Sequence, residues 1–167
     1  MGIEDLLVQE LREQSGRAPR TGRRSAWAYG SLAELLLERG RLFTPAELPA
    51  TVRRLPAQQC YANAFALASY REGLVYAEGY AVCEIGGDLL HFQHAWCVAA
   101  DGVVVDPTWE SPGEAYLGLA LGPAVGVPGL GPGLIHEPQM LGSVLREGLP
   151  DGALVEGLGW AFQESLS

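Results

Sequence analysis

The sequence predicts an α+β domain, a helix packed on an antiparallel β-meander with further helices at the N-terminus, and three observations carry that reading. A helical apolar pattern through Ala64, Leu67 and Ala68 opens at Gln59 or Cys60 and closes near Gly73. Residues 74–85, 89–99 and 103–106 then show β-branched and aromatic character, separated by the turn sequences Gly86-Gly87-Asp88 and Ala100-Asp101-Gly102. Finally, 167 residues with 48% hydrophobic content suffice for one core.

Earlier elements follow from the same signals. Ile3, Leu6, Leu7 and Leu11 put an amphipathic helix at 3–14. Ser15 to Arg24 is polar, Arg-rich and broken by Gly16, Pro19 and Gly22, as a linker would be. Ser31 and Glu34 have capping-box spacing before Leu32, Leu35 and Leu36, and Gly40 is placed to end that helix. The run Leu35-Leu36-Leu37 suits either a core face or a docking interface. Pro45, Pro49 and Pro56 then limit regular structure. The chain divides on this reading into an N-terminal helical segment with its linker, 1–56, and a second unit, 57–167, with a Gly/Pro-rich loop at 118–133. Weak helical patterns follow near 139–147 and 153–164.

Charge narrows the function. All 11 basic residues are arginines; the absence of lysine beside 22 glycines has the look of a coding bias. Up to Arg54, nine arginines face seven acidic residues, net +2, whereas the remainder has two against thirteen, net −11. An acidic body repels polyanions, so nucleic acid is not expected as a partner unless Arg17, Arg20, Arg23 and Arg24 act as a small arm. No apolar run reaches the roughly 20 residues that span a bilayer, so no membrane partner is expected. Met1 to Glu13 carries Glu4, Asp5, Glu10 and Glu13 instead of a basic, apolar leader, and the cysteine count of three is odd. Both point to the cytoplasm.

The chemistry rests on three residues. Cys60 in the first turn of a helix meets the positive end of the helix dipole and unpaired N–H groups, which favour thiolate. His94 lies on the second strand, on the face shared by Leu90, Phe92, Trp96 and Val98, and Asp106 ends the third, where a carboxylate can orient an imidazole. A two-residue hairpin through Asp101-Gly102 would pair Asp106 with Cys97, on the face opposite His94. A three-residue loop or a bulge pairs it with Val98, on the face of His94. The triad therefore demands an irregular turn.

Gln59-Cys60-Tyr61-Ala62-Asn63-Ala64, Tyr76 to Tyr80, His94-Ala95-Trp96 and Val105-Asp106-Pro107-Thr108-Trp109 together resemble the transglutaminase-like superfamily of papain-like cysteine hydrolases, over about residues 57–117. The resemblance implies a papain/transglutaminase-like core, Cys60 as nucleophile, His94 as general base and acid, and Asp106 as its orienting partner. It implies a catalytic unit at 57–167 that hydrolyses a peptide or other amide, or transfers its acyl group, through a thioester and without a cofactor. Gln59 is the oxyanion candidate beside the Cys60 backbone N–H, and Asn63, Trp96 and Trp109 are candidates for the cleft.

Other readings stand beside this one. Cys60, Cys83, His91, His94 and Cys97 include metal-ligand types, but lack a Cys-x-x-Cys pair, and His91 and His94 point to opposite strand faces. A Cys83–Cys97 disulfide is disfavoured because the hairpin sets Cys97 across from about Glu78. Tyr76, Tyr80, Trp96 and Trp109 can be core aromatics. The rival enzyme is an acyltransferase resembling arylamine N-acetyltransferases, and the rival non-enzyme is a binding or accessory module on the same fold without turnover.

Overall fold

The computed structural model describes residues 1–123, 125 and 133–162. Among the described residues four α-helices pack with one face of a curled, five-stranded antiparallel sheet. They are α1 (Ile3–Arg17), α2 (Leu32–Arg39), α3 (Cys60–Tyr70) and α4 (Pro138–Glu147), and the strands are β1 (Arg41–Phe43), β2 (Val75–Ile85), β3 (Asp88–Val98), β4 (Val104–Val105) and β5 (Ala115–Ala120). The strand order is β1-β5-β2-β3-β4. Among the described residues no helix is long and apolar enough to cross a membrane.

Sheet alternation sorts the core into two faces. Leu42, Tyr76, Val82, Ala95, Cys97, Leu117 and Leu119 bury against α1, α2 and α3. Phe43, Ala77, Ala81, Trp96, Val98 and Tyr116 form a smaller cluster on the other face. The segment before residue 57 supplies α1, α2 and β1 to this core, and Leu35 and Leu36 are fully buried, so that leucine run is a core face. At the start of α2 the Ser31 Oγ accepts from the Glu34 N–H at 3.2 Å, while the Glu34 carboxylate reaches one residue further back, to the Gly30 N–H at 2.6 Å.

Two turns fix the register. Gly86 and Gly87, at φ 63° and 91°, form a two-residue loop with Ile85 opposite Asp88, one residue tighter than a turn through Asp88. Cys97 consequently faces Tyr76, not Glu78, and Cys83 faces Leu90, and the cysteines are free thiols. Between β3 and β4 the loop holds three residues, Ala100 to Gly102, closed by the Ala99 N–H to the Val103 carbonyl at 2.9 Å. Val105 pairs with Cys97, which sets Asp106 level with Trp96 instead of Val98. The loop closes one step earlier than anticipated, yet the parity, and so the face shared with His94, is the same.

Three sequence expectations need correction. The Gly/Pro-rich loop at 118–133 begins as strand, because Gly118 to Ala120 complete β5; residues 124 and 126–132 of that loop lie outside the described residues. The helix expected at 153–164 is absent over 153–162, where the chain bridges Leu154 to Leu121 and Trp160 to Leu42; Gly157 and Gly159 at φ 82° and 72° break any helical run. Helix α1 runs through Ser15, Gly16 and Arg17, so the linker is shorter than its composition suggested.

Gly79 pairs with both His94 and Gly118 at the centre of the sheet. A Cβ on Gly79 would run into the Leu117 carbonyl and the Gly118 Cα, and one on Gly118 would lie 2.8 Å from the Trp96 ring. Gly79→Ala is therefore expected to lower stability by about 3 kcal/mol, the upper end for overpacking. Urea unfolding measures this, and a loss under about 1 kcal/mol would show that the strands part easily.

Candidate active site

Helix α3 starts at Cys60 with unusual backbone geometry. Gln58 holds φ at 64°, in the left-handed region that costs a non-glycine residue about 1 kcal/mol, and Gln59 caps the helix without a side-chain hydrogen bond. The bend turns the chain from its Pro-rich approach into the helix at once. Cys60 is half-buried at the first helical position, and the first helical N–H to find a backbone carbonyl is that of Asn63, donating to Gln59 at 2.8 Å. The start of the helix thus presents the donor-rich end that a developing oxyanion requires.

His94 and Asp106 meet directly in the interior. His94 Nε2 lies 2.7 Å from Asp106 Oδ2, with the two side chains only 2% and 4% exposed. An ionised carboxylate only accepts, so Nε2 carries the proton and Nδ1 is left for a second partner. Asp106 is held by further donors. Tyr116 Oη donates to Oδ2 at 3.0 Å, the Thr108 N–H to Oδ1 at 2.9 Å and the Trp109 N–H to Oδ1 at 3.4 Å. The Asp-Pro-Thr-Trp turn thus wraps its own carboxylate, as Asp before Pro favours.

Burial pulls the His94 pKa down, but hydrogen bonding with Asp106 and then Cys60, together with their charges, outweighs it and raises the imidazole above its ordinary value. Among the described residues the ring's side-chain hydrogen bond of ordinary geometry is the one to Asp106. Among the described residues β4 covers only Cys97 and Val98, so that edge of β3 is open at His94, and α3 packs along β3. Trp109, half-exposed, stacks on His94 with centroids 3.9 Å apart and planes at 15°, which fixes the ring plane and favours the cation.

The remaining candidates divide. Gln59 is exposed, with its side chain uncommitted to the helix cap. Asn63 does not face the cleft: it is buried, and its amide donates to the Pro56 carbonyl at 2.7 Å and Thr108 Oγ1 at 3.0 Å, which ties the approach to α3 to the turn after Asp106. Trp96 is fully buried against Phe43 and Tyr116, so it is a core aromatic and not a cleft wall, with its indole N–H unpartnered among the described residues. Cys97 lies under α3 with Sγ 3.1 Å from the Ala64 carbonyl, and burial pushes its thiol up to about 12. Among the described residues no group of three or more His, Cys, Asp or Glu could hold a metal ion.

Tyr116 and Thr108 were missing from the sequence candidates. Thr108 was already inside the quoted Asp-Pro-Thr run, whereas Tyr116 sits where strand signals fade into glycines. A third omission is Glu78. It is fully buried on β2 and accepts from Tyr76 Oη at 2.6 Å, from the Leu134 N–H at 3.1 and 3.0 Å on its two oxygens, and from the Ile135 N–H at 2.6 Å. Burial raises its pKa, against the lowering effect of these bonds and of His136.

The raised pKa of His94 gives stability a pH dependence. An imidazole that binds its proton more tightly folded than unfolded contributes stability that is complete below the unfolded value of about 6.5 and disappears as pH rises through the folded value. The melting temperature of the wild type relative to His94→Gln is expected to be highest below about pH 6.5 and to converge above the folded pKa. A difference flat from pH 5 to 9 would show that the His94–Asp106 pair does not bind its proton this way.

No family model, curated protein or solved structure matches this chain.

Proposed function

We propose that this chain is a cysteine-dependent amide hydrolase, or an acyl transferase of the same chemistry, on a papain/transglutaminase-like core. The observation that carries the reading is the buried His94–Asp106 pair at 2.7 Å, with Cys60 at the first position of α3. A half-buried thiol, an imidazole with a raised pKa and a carboxylate wrapped in donors are the parts that thiol nucleophilic catalysis uses.

In this mechanism His94 takes the Cys60 proton on Nδ1 and Sγ attacks the amide carbonyl carbon. The oxyanion that forms is held by N–H groups at the start of α3. Collapse expels the amine, which takes the proton back from His94, and leaves a thioester on Cys60. Water, activated by the same imidazole, attacks the thioester carbonyl and releases the acid; an amine acceptor in its place completes a transamidation. Asp106 holds the ring through Nε2 and stabilises its charged form without exchanging a proton. The chemistry of these side chains is self-sufficient, and the substrate is a peptide or another amide.

The test is intact-mass spectrometry of the protein quenched in acid during turnover of a peptide-amide pool. A mass increase that maps to Cys60 and is abolished in Cys60→Ala is expected. If no acyl adduct or product forms although the fold is intact, the fold serves a binding or accessory role instead.

A further inference from the structure

Glu78 is not needed by the triad, yet it is among the most heavily bonded side chains in the molecule. All of its neighbours donate to it: the Tyr76 hydroxyl and the N–H groups of Leu134 and Ile135, residues 56 and 57 positions away in the chain. Two consecutive backbone N–H groups aimed at one buried carboxylate pin the path of the segment from Gly133 onward. The next residue, His136, lies flat on Tyr61, with centroids 4.7 Å apart and planes at 18°. Tyr61 directly follows Cys60 in the first turn of α3. Beyond the stack, the His136 side chain is 55% exposed, with Glu137 at 3.8 Å as its ionic neighbour. One ring face is covered by Tyr61, which leaves an aromatic platform exposed on the residue that follows Cys60 in the chain.

We propose that the Tyr61–His136 stack is the acyl-group subsite, selecting substrates with an aromatic or similarly flat group next to the scissile amide, and that Glu78 is the positioning residue that holds His136 there. The proposal rests on Cys60 being the nucleophile. Flatness is what a stacked π-surface recognises, because a planar group gains contact over its whole area where a methyl group gains almost none. Glu78 fits the holding role because no neutral isostere accepts both N–H groups and the phenol: a glutamine would turn its own N–H₂ toward a donor.

The experiment compares two alkylating probes with one warhead, N-benzyl-2-chloroacetamide and N-methyl-2-chloroacetamide. In each, Cys60 Sγ attacks the CH₂ carbon, a C–S bond forms and chloride leaves, so the ratio of rate constants cancels any change in the thiol itself. Labelling is followed at Cys60 by mass spectrometry on the full chain. The wild type is expected to favour the benzyl probe about fivefold over the ratio shown by a free thiol such as glutathione. That preference should vanish in His136→Ala, return in His136→Phe and vanish in Glu78→Gln. His136 is a surface residue, so its substitutions leave folding out of the comparison, and Glu78→Gln is isosteric. If His136→Ala keeps the preference, the subsite is wrong; if Glu78→Gln keeps it, the positioning role is wrong. If the wild type labels Cys60 no faster than glutathione with either probe, the nucleophile reading fails, a different outcome from loss of the ratio alone.

Discussion

His94→Ala is expected to lower turnover of an amide substrate by about 10²–10⁴-fold, the range that a positioned general acid–base contributes. Two separate needs of the reaction converge on this one ring. It removes the thiol proton on the way in, and it delivers a proton to the departing amine, which is a poor leaving group without one. Iodoacetamide labelling at pH 7 should slow by a smaller factor, about tenfold, because alkylation has no amine to protonate. Turnover and labelling thus separate the two duties of His94. Equal labelling rates in wild type and variant would mean that the imidazole does not govern the thiol, and the catalytic reading would fall with it.

The largest expected effect on stability belongs to Asp106→Ala, about 3–5 kcal/mol, the range for removing one partner of a buried charged pair. The carboxylate accepts from His94, Tyr116 and the N–H groups of Thr108 and Trp109, and a methyl group would leave all four donors facing a void. The turn after β4 would lose its internal wrapping, and with it the tie from Thr108 to Asn63 on α3. Urea unfolding at pH 7 measures the loss. A variant within about 1 kcal/mol of wild type would show that water satisfies these groups and that the site is wetter than its burial suggests. Asp106→Asn should fold better, yet turn over slowly, since an amide stabilises imidazolium far less than a carboxylate does.

How much of this was legible in the sequence depended on periodicity. Cys60 at a helix start, His94 on a strand face and Asp106 after the next strand follow from patterns of 3.6 and 2 residues, bounded by glycine turns. The irregular loop at Ala100 to Gly102 could be deduced because only odd displacement brings Asp106 to the face of His94. Strand β5 left no such trace. It is buried on both faces, so Ala115 to Ala120 shows no polar alternation, and Gly118 stands in its middle because the backbone of Glu78 and the ring of Trp96, distant in sequence, leave no room for a side chain. Tyr116 was lost with its strand. Glu78 sat on a recognised strand, but its partners are backbone N–H groups of Leu134 and Ile135, which carry no side-chain signature. Asn63 was read on the correct helix and given the wrong surroundings, since its bond to Thr108 crosses 45 residues.

The order β1-β5-β2-β3-β4 also sets a timetable for folding. The β2–β3 hairpin closes through two glycines, and β4 adds on through three residues, so this half of the sheet assembles from neighbours in sequence within microseconds. Strand β1 has no such neighbour. Its partner is β5, with Phe43 beside Tyr116 and Arg41 beside Gly118, and the sheet is complete only when these distant stretches meet. During synthesis Arg41 to Phe43 leaves the ribosome long before β5 exists, so α1, α2 and β1 must wait as an unattached apolar unit. The step that brings them in should limit the folding rate. It also joins the segment before Cys60 to the strand that carries Tyr116, so the candidate site is assembled last.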